Sequence, residues 1–208
     1  MCGVAGYLNF NKNHVNEDVL NKMCKALAHR GPDDDGIFKD EDFGLSHTRL
    51  SILDLSSAGH QPMATEDGRF VISYNGEVFN FKEIKAKLIS LGWHFKSRSD
   101  CEVVLKALAE WGAKAISQFN GQFAFAFWDR KEKNLILSRD RYGIKPLYFF
   151  KNNKMIVFGS EIKAILCHPD VKLEMNKEGL LEYLTFQNFL SKQTLFKNID
   201  MLPAGSYL

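Results

Sequence analysis

The chain has 208 residues, of which 45% are hydrophobic and 25% are charged, a balance typical of globular proteins with one large or two small domains. The formal net charge of +2 comes from Lys and Arg spread along the whole sequence, so nucleic-acid binding is not indicated. No apolar run approaches the ~18 residues of a membrane span, and no signal peptide is recognisable. We therefore expect a cytoplasmic protein without membrane association.

The cysteines and histidines do not indicate a metal or disulfide framework. The four cysteines show neither CxxC pairing nor metal-ligand spacing, and the six histidines are scattered. In a reducing compartment Cys24, Cys101 and Cys167 are predicted to be core residues. The sequence also lacks a G-x-G-x-x-G or Walker loop, so we expect no metal and no cofactor in this chain.

The first elements read as a buried strand, a helix and a hairpin. Cys2–Asn9 is short and apolar with two glycines, which predicts a strand packed closely against a neighbour. Asn16 predicts the N-cap of a helix that ends before the turn at Arg30–Asp33. Its apolar residues Val19, Leu20, Met23 and Leu27 share one face. Gly36–Phe38 and Phe43–His47 then predict a hairpin.

The remaining elements continue this mixture. Phe70, Ile72 and Tyr74 alternate along a strand that runs into Asn75-Gly76-Glu77, and Ser99–Glu102 has the form of a capping box that opens a helix. Further strands are predicted at Gln122–Trp128, Leu135–Ser138, Leu147–Phe150 and Met155–Gly159, and further helices at Phe81–Leu91, Glu161–Leu166 and Lys177–Phe186. Hairpins interrupted by helices predict an α+β fold with antiparallel sheets covered by helices.

Cys2 is the first candidate for chemistry. Removal of Met1 would leave a residue that carries both a thiol and a free α-amine, which titrate near pH ~8.5 and ~8. A nucleophile and its base would then sit on one residue, without any need for a histidine. The alternative is that Cys2 is a small core residue.

Three further polar clusters lie at predicted strand ends and helix starts. Arg49 follows a strand, Asn75-Gly76-Glu77 follows another, and Asp100 lies in the first turn of a helix. Each has a plain structural alternative: a surface or ion-paired Arg, an Asn-Gly turn with a solvent-facing Glu77, and an acid favoured by the helix dipole.

Together these segments resemble the glutaminase domain of class II glutamine amidotransferases, a branch of the N-terminal-nucleophile hydrolases. The shared motifs, in order, are CGVAG at 2–6, RGPD at 30–33, HTRLSILD at 47–54, YNGEVFN at 74–80, SDCEV at 99–103 and DRYGIKPLY at 140–148. Their wording is similar to that of the glutamine-hydrolysing asparagine synthetases. The resemblance covers essentially the whole chain and implies a four-layer αββα sandwich of two mainly antiparallel sheets over residues 1–208.

The resemblance also implies a role for each candidate residue. Cys2 would be the nucleophile that hydrolyses L-glutamine to glutamate and ammonia through a thioester. Asn75 and Gly76 would form the oxyanion hole. Arg49 would bind the α-carboxylate of glutamine, a task suited to a planar bidentate donor. Asp100 would pair with the α-ammonium, with Glu77 lining the same end.

Several expectations concern partners and the remaining motifs. The family's ATP-dependent C-terminal synthetase domain, which would require ATP and Mg, has no counterpart in this chain, so we interpret the chain as the glutaminase domain alone. Alternatives are an amidotransferase with a sugar or another carboxylate as acceptor, a hydrolase for another amide, or a catalytically silent docking or regulatory domain. A homodimer is left open. His47 and His60 are interpreted as structural, and Asp140–Gly143 as a structural internal ion pair or a surface for a second domain.

Overall fold

Two antiparallel β-sheets stack face to face in the computed structural model, which describes residues 1–208, and helices cover the outer surface of each sheet. The strands are β1 (Gly3–Asn9), β2 (Asp34–Lys39), β3 (Phe43–Arg49), β4 (Met63–Ala64), β5 (Phe70–Val78), β6 (Gly121–Asp129), β7 (Asn134–Arg139), β8 (Tyr148–Lys151), β9 (Met155–Gly159) and β10 (Ile199–Met201). The helices are α1 (Glu17–Ala26), α2 (Phe81–Ser90), α3 (Asp100–Trp111), α4 (Ile162–Ile165) and α5 (Lys177–Phe186). None of them has both the length and the apolar character needed to span a bilayer.

The six-stranded sheet has the order β10-β8-β9-β1-β3-β2, and the four-stranded sheet has the order β4-β5-β6-β7. Every neighbouring pair is antiparallel. Side chains from both sheets fill the space between them. Phe43 of β3 stacks on Trp128 of β6, with ring centroids 4.3 Å apart, and both rings are fully buried.

Separate apolar clusters attach the helices to the outer faces. Helices α1 and α4 pack on the six-stranded sheet through residues such as Leu20, Met23 and Ile165. Helices α2 and α3 pack on the four-stranded sheet through residues such as Leu88 and Leu105. The layers therefore follow the order αββα, as expected from the sequence.

Local details correct some expectations. Ser99 caps α3 by accepting a hydrogen bond from Cys101 N (3.1 Å), but Glu102 accepts from Ser97 N (2.7 Å) and does not return to Ser99, so the capping box is half formed. Leu91 lies beyond the end of α2 and is 55% exposed, so it does not share the buried face. Cys167 is only partly buried.

The Asn75-Gly76 pair does not form a turn. Both residues lie inside β5, where Asn75 faces Ala124 and Gly76 faces Phe123 of the neighbouring strand β6. The turn alternative is therefore wrong, because nine residues of β5 pair continuously with β6 through this segment. The continuous pairing fixes Asn75 and Gly76 rigidly on the sheet.

Candidate active site

A small cavity of about 100 Å³ is lined by all six candidate residues. They are Cys2, Arg49, Asn75, Gly76, Glu77 and Asp100. The cavity draws on the residue before β1, the last residue of β3, three consecutive residues of β5 and the first residue of α3. Because these elements belong to both sheets and to one outer helix, the fold itself gathers residues that are up to 98 positions apart in sequence.

Cys2 presents its sulfur to the backbone of Leu50. The Leu50 N–H donates to Cys2 Sγ over 3.4 Å, and the thiol lies 3.6 Å from the Leu50 carbonyl oxygen. Burial raises the pKa of the Cys2 thiol above its usual value, although the Leu50 hydrogen bond acts in the opposite direction. The positive charges of the amino terminus, Arg49 and Lys145 also oppose the effect of burial. A raised thiol pKa means that the nucleophile needs a base.

The backbone of Cys2 is held by a buried cation. Arg30 Nε donates to the Cys2 carbonyl oxygen (2.9 Å), and Arg30 Nη1 pairs with Glu161 Oε1 (2.9 Å). Glu161 also accepts from His29 (2.9 Å) and pairs with Lys163 (3.1 Å). Arg30 belongs to the RGPD segment and links the backbone of Cys2 to Glu161.

Arg49 forms one charged wall of the cavity. Its Nη1 donates to the carbonyl oxygen of Ser56 (3.0 Å) and its Nη2 to that of Asp54, so it is held by neutral acceptors. No carboxylate lies within ion-pair distance of this largely buried guanidinium. A Cβ atom at Gly59 would collide with Nη2, so the glycine provides the space that this placement requires. The positive charge is thus available to a ligand carboxylate.

Asp100 and Glu77 place negative charge in the same cavity as the positive charge of Arg49. Asp100 Oδ2 accepts from the Tyr74 hydroxyl (2.7 Å) and from Val78 N (2.9 Å), and the Asp100 side chain is almost fully buried. Burial raises the pKa of Asp100, and these hydrogen bonds act to lower it. Glu77 lines the same cavity. Neither carboxylate forms an ion pair within the protein, so both can accept a ligand ammonium.

The backbone N–H of Gly76 points away from β6. Its partner in the register, Phe123, donates its N–H to Asp140 Oδ2 (3.2 Å) and accepts from Asp140 N (2.8 Å). Gly76 and Phe123 are therefore a non-hydrogen-bonded pair, and the Gly76 N–H faces the outer edge of β5. A Cβ at Gly76 would lie 2.7 Å from the Phe123 Cβ, so contact with β6 accounts for the glycine.

The other backbone groups on this edge of β5 are occupied. Gln61 binds the backbone of Tyr74 twice, accepting from its N–H (2.7 Å) and donating to its carbonyl (3.2 Å). Asp100 takes the N–H of Val78 (2.9 Å). Gly76, midway between them, lies beyond the reach of β4, which pairs at Ile72 and its neighbour. Its N–H therefore faces the cavity as an available donor.

Asn75 supplies a second donor. Its side chain is 2% exposed, and its Nδ2 is buried without any hydrogen-bond partner. An unpartnered buried amide is costly, by about 1–3 kcal/mol, and is usually explained by a ligand or a catalytic role. Asn75 Nδ2 and Gly76 N–H together suit the binding of a negative oxygen.

Sequence reasoning missed two residues of the site and misjudged one motif. Lys145 and Gln61 line the cavity; Lys145 lies in the DRYGIKPLY motif but was assigned no role there, and Gln61 had no recognisable signal. Asp140 makes no ion pair with its neighbours; its carboxylate accepts backbone N–H bonds instead. His47 and His60 do not line the cavity. No group of three or more His, Cys, Asp or Glu side chains is arranged to hold a metal ion.

Comparisons with known proteins agree with this arrangement. The chain matches the glutamine amidotransferase domain family over residues 1–208. It is 40% identical to asparagine synthetase [glutamine-hydrolyzing] 3 of Bacillus subtilis, over 88% of this chain and 30% of that protein. It is 38% identical to putative asparagine synthetase [glutamine-hydrolyzing] 2 of Methanocaldococcus jannaschii, over 100% of this chain and 44% of that protein. The chain thus spans less than half the length of these relatives.

A comparison of structures confirms the fold. Glutamine phosphoribosylpyrophosphate amidotransferase from B. subtilis aligns with a TM-score of 0.67 and 20% identity, covering 80% of this chain and 43% of that one. At this identity the likeness concerns the fold alone, and it agrees with the expected N-terminal-nucleophile hydrolase architecture. With a family match over its whole length and relatives above 30% identity, the chain belongs to the glutamine amidotransferase domain family.

Proposed function

We propose that this domain hydrolyses L-glutamine to L-glutamate and ammonia through a thioester on Cys2. One observation carries the proposal: Cys2 lies in a cavity whose walls hold Arg49 without an ion-pair partner and, from β5 and α3, the carboxylates of Glu77 and Asp100, also without ion-pair partners. An α-amino acid carries both complementary charges. Arg49 would bind its carboxylate, and Asp100 with Glu77 would bind its ammonium.

The reaction would proceed in two balanced steps. Cys2 Sγ attacks the side-chain amide carbon, its proton passes to the base and then to the leaving nitrogen, and ammonia departs from the tetrahedral intermediate. Water then attacks the thioester, which releases glutamate and returns the proton to sulfur. Each step passes through a tetrahedral intermediate, and in both of them the negative oxygen would accept hydrogen bonds from Asn75 Nδ2 and Gly76 N–H.

The base in this proposal is the α-amine of Cys2. That nitrogen is part of a peptide bond while Met1 is attached, and a peptide nitrogen is not a base. Activity should therefore require removal of Met1. The proposal of a silent docking domain makes the opposite prediction, namely that Met1 persists and that no ammonia is released.

The decisive experiment combines mass and activity. Protein whose intact mass establishes the loss of Met1 should release equimolar ammonia and glutamate from glutamine, and it should gain the mass of one glutamine-analogue electrophile at Cys2. Cys2→Ala should abolish both. Cys167→Ala serves as the matched control, because Cys167 lies outside the cavity and should leave both unchanged. Full activity of Cys2→Ala would overturn the assignment.

We further propose that the ammonia serves an ATP- and Mg-dependent synthetase domain of the same polypeptide that makes asparagine from aspartate. The support is that the relatives named asparagine synthetase are two to three times longer than the matched region. A different acceptor remains the alternative, because a 33% identical relative is named amidase chry2. Asparagine formation from aspartate, glutamine and ATP by the full polypeptide distinguishes an asparagine synthetase from an enzyme with another acceptor. Gel filtration of the same polypeptide tests for a homodimer.

A further inference from the structure

Lys145 is a cation of the cavity that no other part of the protein neutralises. Its side chain lines the same cavity as Cys2 and is partly buried. Its ammonium group forms no ion pair. A cation that lines a cavity and has no carboxylate partner is available to a negative charge that forms in that cavity.

The backbone of Lys145 is anchored from both sides. Its N–H donates to Asp140 Oδ2 (3.0 Å), and its carbonyl oxygen accepts from Arg139 Nε (2.9 Å). Asp140 and Arg139 are themselves buried at the end of β7. Asp140 also accepts from the N–H groups of Tyr142 and Ile144 (3.0 and 3.1 Å), so the backbone from which the Lys145 side chain extends is held at the end of β7.

The charges that face Cys2 come from several elements. The cations are the amino terminus, Arg49, Lys145 and, against the backbone, Arg30; the carboxylates on the cavity walls are Asp54, Glu77 and Asp100. Arg49 is already bound to two carbonyl oxygens, and in the proposed function it is further committed to the substrate carboxylate. Arg30 is paired with Glu161, so Lys145 is the side-chain cation of this set whose charge is not used by another contact.

We propose that Lys145 is a positioning residue for the nucleophile, a cation on an anchored backbone that stabilises negative charge on the Cys2 sulfur. The contribution to thioester formation and breakdown rests on the proposed glutaminase function. The effect on the free thiol does not, because it requires only the two side chains in one cavity. Loss of the charge should therefore make the thiolate harder to form even without glutamine.

The test measures the alkylation rate of each cysteine against pH. Wild type, Lys145→Met and Lys145→Arg are treated with iodoacetamide in the absence of glutamine, and peptide mass spectrometry reads Cys2 and Cys167 separately. For Lys145→Met we expect the midpoint of Cys2 alkylation to rise by about 0.5–1 pH unit. Lys145→Arg should restore it. Cys167 is the internal reference and should keep its midpoint in all three proteins.

Lys151→Met is the matched control, since Lys151 lies on β8 and does not line this cavity. An unchanged Cys2 midpoint in Lys145→Met would overturn the proposal. A midpoint in Lys145→Arg that rises as far as in Lys145→Met would also overturn it, because the side chain would then matter for a reason other than its positive charge. Wild type that releases no ammonia while the shift in Lys145→Met is present would contradict the proposed glutaminase alone.

Discussion

The guanidinium of Arg30 donates from Nε to the carbonyl oxygen of Cys2 over 2.9 Å. The same group pairs with Glu161 over 2.9 Å, and Glu161 follows β9 by two residues. The next residue of the chain after β9, Ser160, also holds this segment, because its Oγ accepts from Val4 N (3.0 Å). The segment from Cys2 to Val4 is thus held to the end of β9 by one charged link and one neutral link.

The charged link predicts a pH-dependent stability. Burial acts to raise the pKa of Glu161, but hydrogen bonds from Arg30, His29 and Lys163 prevail and lower it to about 2. A folded-state pKa below the ordinary value of 4.5 means that the contribution is complete above about pH 4.5 and is lost as the pH falls towards 2. We expect Glu161→Gln to lower the free energy of unfolding at pH 7 by about 1–3 kcal/mol.

Urea unfolding at pH 7 and pH 3 checks this expectation. The difference between Glu161→Gln and wild type should shrink at pH 3, because the Glu161 carboxylate is then protonated in the unfolded wild type but still mostly ionised in the folded protein. Glu83→Gln, an exposed position on α2, is the control and should be neutral at both values. A difference of equal size at both pH values would contradict the assigned cause.

Gly59→Ala should weaken glutamine binding and leave the fold intact. The added Cβ collides with the far end of the Arg49 side chain, which can move without disturbing the backbone. The displaced guanidinium would lose its alignment with the substrate carboxylate. We expect KM to rise roughly tenfold or more with a smaller change in kcat, since one charged hydrogen bond is worth about 1.5–3 kcal/mol. Ser57→Ala, in the same turn, is the control. An unchanged KM would remove Arg49 from substrate binding.

Asn75→Ala should reduce the rate of the chemical step. Removal of one oxyanion donor typically costs about 10²–10³ in kcat. Because the Nδ2 of Asn75 has no partner in the protein, its loss breaks no hydrogen bond of the fold, so thermal stability should not fall by that route. Steady-state kinetics and a thermal melt check both points, and Asn153→Ala in the β8–β9 turn is the control. A large loss of stability with an unchanged kcat would indicate a structural role.

Asp140→Asn should destabilise the protein without removing a charge from the cavity wall. The carboxylate accepts backbone N–H bonds from four residues, which are Phe123, Tyr142, Ile144 and Lys145. An amide would present an NH₂ group to some of these donors. We expect a loss of about 1–3 kcal/mol in the free energy of unfolding, measured by urea denaturation, against Asp170→Asn as an exposed control. An Asp140→Asn variant as stable as the wild type would show that these N–H groups find other acceptors.

Local signals predicted antiparallel sheets covered by helices, whereas the four-layer order and the choice of the six candidate residues came from the resemblance to class II glutamine amidotransferases. Alternating strands, N-caps such as Asn16, whose Oδ1 accepts from Asp18 N (2.9 Å), and ordered motifs need no knowledge of distant contacts. The roles of the site residues stay predictions until the variants are measured. Their convergence on one cavity is what the structure adds.

The interpretations that differ from the structure share a physical cause. In each case the local conformation or contact is decided by residues that are distant in sequence. Asn75-Gly76 has the composition of a turn, but pairing with β6 keeps it extended. Asp140 was given an ion pair because Arg141 follows it, yet Arg141 donates to the carbonyl oxygen of Phe119. Lys145 was not recognised because its position depends on the loop that Asp140 organises.

The edge of β5 also restricts how this site can evolve. Its outward N–H groups occur at every second residue, here at Tyr74, Gly76 and Val78, and recur about 7 Å apart along the strand. Insertion or deletion of a single residue would reverse the parity of the strand and turn the Gly76 donor towards β6. Only changes by two residues preserve the parity, and these move the donor by a full repeat away from the sulfur. The Gly76 donor can therefore be moved along the strand only in steps of two residues, so natural variation must act on the surrounding loops.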